Sequence, residues 1–190
     1  MLFVYIHGFN SSPESFKAKC FEQFLFENHP IQQLIVPRLS DLPARAMATL
    51  TDLINQRRNE NIALIGSSLG GFYATWLSQQ YHLPAVLINP AVNPQELLVD
   101  FLGTNKNFHT GEEYEFTTEH IVQLDAVTTS IINSPELLMV LLQSGDEVLD
   151  YRLAEKKYSS TRLIVETGGD HSFQHFGQYC ETIYLFLTGN

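Results

Sequence analysis

The sequence predicts an α/β fold: one mostly parallel sheet with helices on both faces, three layers in all. Three observations predict it. Short apolar runs of strand type alternate with stretches whose apolar residues recur at helical spacing. Ile62 to Ile65 lead into a glycine-rich turn that leaves as a helix, the building unit of such sheets. Glycines and polar residues suited to chemistry fall just past the ends of the apolar runs, and right-handed crossovers bring those ends to one edge.

Taken in order, Leu2 to Ile6 reads as a buried strand, followed by His7-Gly8-Phe9. Ser11, Ser12, Pro13 and Glu14 carry helix-start signals: a serine cap, an early proline and an acid in the first turn. The helix they announce carries Phe16, Cys20, Phe21, Phe24 and Leu25 on one side and ends near Asn28. Leu34 to Val36 is a second strand, stopped by Pro37, and a helix from about Leu42 to Arg57 presents Ala46, Leu50, Leu53 and Ile54. After the third strand, Leu69, Phe72, Tyr73, Trp76 and Leu77 recur at i, i+3, i+4, i+7 and i+8, a core-facing stripe. Ala85 to Ile88 is the fourth strand, closed by Asn89-Pro90.

The rhythm then breaks. The next clear strand, Leu137 to Leu142, comes after a gap about twice the others. Residues 91–134 hold Pro94, Gly103, a polar and acidic stretch from Asn105 to Glu115, and a helix-like run near Thr117 to Val127. They read as an inserted, mostly helical cap within a single domain, 1–190; the plainer alternative is a crossover helix with a long loop. Gln143-Ser-Gly-Asp146 follows, then a short helix near Tyr151 to Tyr158, a last strand Arg162 to Glu166, and Gly168-Gly-Asp-His171. A final helix carries Phe176, Cys180, Ile183, Tyr184 and Leu187.

Composition narrows the function. The chain has 190 residues, 44% of them hydrophobic, enough for one sizeable core. The net charge of −10, with 11 scattered Lys and Arg, argues against nucleic acid and against an anionic membrane surface as partners. No basic-then-apolar leader opens the chain and no apolar run has the length to span a bilayer. Cys20 and Cys180 read as buried free thiols of a reducing, cytoplasmic setting.

Gly66-Ser67-Ser68-Leu69-Gly70 matches G-x-S-x-G between a strand and a helix, the context in which that motif makes a nucleophile elbow. At a glycine frequency near 7% a chain of this length holds about 0.06 such pentapeptides by chance. The serine at the apex of the turn occupies a strained backbone so that its hydroxyl clears the sheet, and Gly66 and Gly70 let strand and helix pass closely. The bland alternative is a glycine-rich turn with a capping serine.

Ser68 needs a base, because a free serine hydroxyl is a weak nucleophile. His171 is the best placed of seven histidines: it follows the last strand through Gly168-Gly169, and Ser68, Asp146 and His171 stand in the order this architecture uses. Asp146 is the leading acid to fix the imidazole; Asp150 is its rival but also suits the cap of the helix at Tyr151, and Asp170 adjoins His171 too directly to point at it. The backbone N–H groups of Phe9 and Leu69 are the natural oxyanion-hole pair. His7 reads as structural, and His109 and His120 as solvated cap residues. Asp170, His171 and His175 have a spacing open to metal, but no third and fourth ligand can be named and the stretch is already explained without one. Neither a phosphate loop nor a dinucleotide fingerprint is present.

With these residues in hand, the chain resembles the alpha/beta-hydrolase superfamily over nearly its full length. The match lies in His7-Gly8-Phe9, Gly66 to Gly70, Gly145-Asp146-Glu-Val148 and Gly169-Asp-His171-Ser-Phe. More narrowly it is similar to the small bacterial YqiA-type esterases and the related YcfP-type proteins, which share the opening Tyr-Ile-His-Gly-Phe-Asn-Ser-Ser-Pro found at Tyr5 to Pro13. The resemblance implies a cytoplasmic bacterial esterase acting on a small acyl ester or thioester such as fatty acyl-CoA, without metal or organic cofactor. Acyl transfer to an acceptor other than water, or a binding protein on the same scaffold, are the competing functions. The superfamily's leading antiparallel strands are missing, so the sheet is expected to have about six strands.

Overall fold

The structure is a computed structural model that describes residues 1–107 and 109–189; residue 108, within the polar stretch expected at 105–115, lies outside them. Six strands form one sheet: β1 (Leu2–Ile6), β2 (Gln33–Ile35), β3 (Ile62–Ser67), β4 (Ala85–Ile88), β7 (Leu138–Gln143) and β8 (Arg162–Glu166). Their order is β2-β1-β3-β4-β7-β8 and every neighbouring pair is parallel. The chain moves from β1 outward to β2, then returns to β3 and proceeds the other way. The crevice beyond the ends of β1 and β3 is therefore the topological switch point, where open parallel sheets bind ligands. This is the α/β-hydrolase fold.

Alternation along the strands divides the core in two. Leu2, Val4 and Ile6 of β1, with Leu64, Leu87 and Val140, face α2 (Pro43–Gln56), α3 (Leu69–Tyr81) and α6 (Tyr151–Lys157). Phe3 and Tyr5, with Ile65, Val86 and Leu141, face α1 (Phe16–Asn28) and α7 (Cys180–Thr188). Burial on both faces explains why these strands are continuous apolar runs. Each such side chain contributes about 1.5–3 kcal/mol on leaving water.

Between β4 and β7 lie α4 (Pro94–Leu97) and a 3-10 turn over Leu98–Phe101. Strands β5 (Gly103–Lys106) and β6 (Glu113–Phe116), and then α5 (Thr118–Ala126), complete the segment. The segment expected to be mostly helical thus includes an antiparallel hairpin that pairs Gly103 with Phe116 and Lys106 with Glu113. Glu113-Tyr-Glu-Phe116 does alternate with period two, but β5, Gly-Thr-Asn-Lys, is polar and gives no strand signal alone.

Other expectations are adjusted by packing. α1 starts at Phe16 rather than at Ser11–Glu14, because Ser12 builds a turn there: its Oγ accepts from the Glu14 N–H and its carbonyl from the Ser15 N–H. Ala18, Phe21 and Leu25 point inward while Phe16 is 74% exposed. α3 is buried nearly all round rather than along one stripe, with Trp76 only half-buried. The sheet covers part of it, and Tyr158 packs against it as well, with the Tyr158 and Thr75 hydroxyls 2.9 Å apart. Cys180 is buried but Cys20 only half-buried; both are free thiols whose sulfurs lie in hydrogen-bond contact at 4.0 Å. Among the described residues no helix is long and apolar enough to cross a membrane.

Candidate active site

Ser68 stands at the bend between β3 and α3 with φ +55° and ψ −121°, a conformation L-residues avoid. The turn is held from both sides: the Ser68 N–H donates to the Ile88 carbonyl, and the Ser68 carbonyl accepts from the N–H groups of Gly71 and Ala91. A Cβ on Gly66 would lie 2.3 Å from the Gly70 carbonyl oxygen, and one on Gly70 2.0 Å from that of Ile6. Strand and helix pass at this separation only because both residues lack side chains.

The loop after β8 returns His171 to this bend. Its Nε2 lies 3.1 Å from the Ser68 Oγ, and its Nδ1 lies 2.8 and 3.0 Å from the two Asp146 carboxylate oxygens. The carboxylate only accepts, so Nδ1 carries the hydrogen and Nε2 is left to accept the Ser68 hydroxyl proton. The Asp146 side chain is 2% exposed and its Oδ1 also takes the N–H groups of Val148 and Leu149. Asp150, the rival acid, caps α6 instead: it accepts from the Arg152 N–H and pairs with the Arg152 guanidinium. That pairing holds its carboxyl below the usual range. Asp170 turns to Ser172 and Gln174, and hydrogen bonds from those side chains, Ser172 first, lower its pKa.

The loop His7-Gly8-Phe9 lies against the bend. A Cβ on Gly8 would sit 3.2 Å from the Ser68 Cβ and 3.6 Å from its Oγ. Phe9 and Leu69 both line the cavity that opens over Ser68. The Phe9 ring meets Phe101, Tyr114 and Phe116 edge-on at 5.3–6.2 Å, and the Tyr114 hydroxyl donates to Asn10 Oδ1. The β5–β6 hairpin therefore anchors this loop. His7 is buried; its Nδ1–H donates to the Gly8 carbonyl and its Nε2 accepts from the Leu39 N–H. Burial lowers its pKa, consistent with a structural, neutral imidazole.

A cavity of about 350 Å³ opens over Ser68 and His171. Leu69, Ala91, Leu97, Leu98, Phe101, Val148 and Leu149 make most of its wall. Among the described residues no three His, Cys, Asp or Glu side chains gather as metal ligands. His109 is exposed, but His120 is half-buried and takes part in the cap of α5, accepting at Nδ1 from the Thr117 N–H. Asn89, which the sequence places at a strand end, bonds the histidine loop, and so do side chains with no expected role there, among them Gln143, Glu147, Lys17 and Ser144. Glu147 Oε2 accepts from the His171 N–H at 3.0 Å.

Residues 2–188 match the family model described as Uncharacterised protein family (UPF0227). A UPF0227 protein of Pectobacterium atrosepticum is 23% identical over 193 residues, spanning 98% of this chain and 99% of that protein. Among solved structures, mouse alpha/beta hydrolase domain-containing protein 10 aligns with a TM-score of 0.74 at 14% identity, over 99% of this chain and 90% of its own. Est1E from Butyrivibrio proteoclasticus aligns with a TM-score of 0.73 at 14% identity, over 99% and 87%. The chain belongs to the UPF0227 family.

Proposed function

We propose that this UPF0227 member is a serine hydrolase that cleaves carboxylic esters or acyl thioesters through an acyl-enzyme on Ser68. One observation carries the reading: an imidazole tethered at Nδ1 to a buried carboxylate presents its Nε2 3.1 Å from a serine oxygen on a strained turn. Similarity to Est1E, one structure of which holds ferulic acid, and to an esterase domain from Rhodothermus marinus supports the reaction class.

In this reading the Ser68 Oγ forms a bond to the substrate carbonyl carbon as its proton passes to His171 Nε2. The carbonyl oxygen becomes an oxyanion between the Phe9 and Leu69 N–H groups, near the N-terminus of α3. Collapse breaks the bond to the alcohol or thiol, which leaves with the proton from His171. Water then gives its proton to Nε2 and attacks the acyl carbon; the second collapse releases the acid and restores the Ser68 hydroxyl. Asp146 keeps the imidazole in one tautomer and stabilises its cation. The segment 91–134 serves as the cap, lining the acyl side with Leu97, Leu98 and Phe101.

The test is Ser68→Ala with short-chain nitrophenyl esters, together with a fluorophosphonate probe. Turnover and labelling of Ser68 in the wild type, both lost in the variant, are the expected result. Undiminished turnover by Ser68→Ala would end the proposal, and an unlabelled wild-type serine would point to a binding protein on a hydrolase scaffold.

A further inference from the structure

We infer that Asn89 and Gln143 form a positioning clamp that sets where His171 presents its imidazole, an inference that rests on His171 being the base proposed above. Asn89 follows β4 and Gln143 ends the adjacent strand β7; both are 2% exposed. They interlock, since the Gln143 backbone N–H donates to Asn89 Oδ1 at 3.0 Å. From this base both side chains reach across to the loop carrying His171. Asn89 Nδ2 donates to the carbonyls of Asp170 (3.1 Å) and His171 (3.3 Å). Gln143 Oε1 accepts from the N–H groups of Asp170 (3.1 Å) and Gln174 (2.8 Å), and its Nε2 donates to the Gln174 carbonyl (3.0 Å).

The chemistry explains the residue types. The loop from Gly169 to Gln174 turns both N–H and C=O groups inward, and each one left unpaired costs about 1–3 kcal/mol. A side-chain amide offers an acceptor oxygen and a donor nitrogen on separate atoms, side by side and without charge. Packing around it leaves no spare room: a Cβ on Gly169 would fall 2.0 Å from Gln143 Oε1. Asn89 itself sits at φ +40°, where Asn is among the better tolerated residues. The bonded backbone includes the His171 carbonyl itself, so a shift of either amide moves the imidazole relative to Ser68.

The experiment is a double-mutant cycle. Asn89→Gly keeps the positive φ and removes the amide; Gln143→Met keeps the volume and removes both functions. Each is measured alone and in a His171→Ala background, with nitrophenyl ester turnover and thermal unfolding as readouts. A displaced imidazole lowers kcat by about 100-fold with KM nearly unchanged. In the His171→Ala background the same substitutions should lower the residual rate no further, because the group they act through is gone. A wild-type kcat in either single variant, or an equal loss in both backgrounds, overturns the clamp. Full activity in His171→Ala alone would instead remove the base assignment. Should Asn89→Gly fail to fold, Gln143→Met decides alone: its loss of kcat must vanish without His171, and Gln143→Glu is avoided because the Gln143 Nε2 also donates to Glu166 Oε2 at 2.8 Å.

Discussion

Asp146 and Asp150 lie on one short loop, yet Asp146 faces His171 Nδ1 at 2.8 Å while Asp150 turns away to Arg152. The difference is burial: the Asp146 side chain is 2% exposed and that of Asp150 42%. Asp146→Asn should therefore lower kcat by about 10⁴-fold by favouring the wrong tautomer. Asp150→Ala should leave ester turnover at the wild-type level and only lower the melting temperature, by loosening the start of α6. Steady-state kinetics and a thermal melt on both variants check the pair.

The bend at Ser68 predicts a sharp contrast between two glycines. A Cβ on Gly70 would lie 2.0 Å from the Ile6 carbonyl oxygen and 2.7 Å from that of His7, both fixed backbone. Gly70→Ala should cost more than about 4 kcal/mol, the range of exceptional lesions. Gly111 has φ +74° and open space around it, so Gly111→Ala should cost about 1–2 kcal/mol of backbone strain alone. Chemical denaturation reads both.

The wall of the cavity predicts a shift in chain-length preference. Leu98 is 7% exposed and lines the cavity beside Phe101. Leu98→Trp fills part of the space an acyl chain would take. Each methylene it excludes should lower kcat/KM about fourfold, at about 0.8 kcal/mol of lost burial. Acetyl esters should be turned over as before, and a profile across nitrophenyl esters of increasing length shows where the curves part. Equal loss on acetyl and long-chain esters would place the acyl group elsewhere.

His7 predicts a pH dependence of stability. Its imidazole has a folded pKa below the ordinary 6.5, through burial first; the Asp41 carboxylate opposes the shift in part. A proton on Nε2 would confront the Leu39 N–H that this nitrogen now accepts. As pH falls the unfolded chain binds its proton first, so the contribution is complete above pH 6.5 and is lost between there and the folded pKa. His7→Gln, which cannot titrate, should lose less melting temperature than the wild type between about pH 7.5 and about pH 5.5.

Much of this is legible in the chain alone. Ile62–Leu77 announced strand, bend and helix because an elbow tolerates few residues: Gly66 and Gly70 are required by contacts within a few residues of each other or with the adjacent strand. The hairpin was not legible, since Gly103–Lys106 carries no apolar alternation and is a strand only against β6. The stripe on α3 understated its burial, because a periodicity records the first face to be covered and not the later packing of Tyr158 on Thr75.

The sequence by itself determined the layering of the sheet and the placement of Ser68, Asp146 and His171 at strand ends, because strand period, helix period and turn chemistry are local properties of the chain. Only the tertiary structure decided which acid meets His171 and which amides, those of Asn89 and Gln143, carry its loop. It also decided which rings hold Phe9. Each of those is a choice among chemically equivalent side chains, and it is settled by distances between segments far apart in the sequence. A hydrogen bond needs its partner within about 3 Å, and that distance exists only once the sheet has brought the loops to one edge.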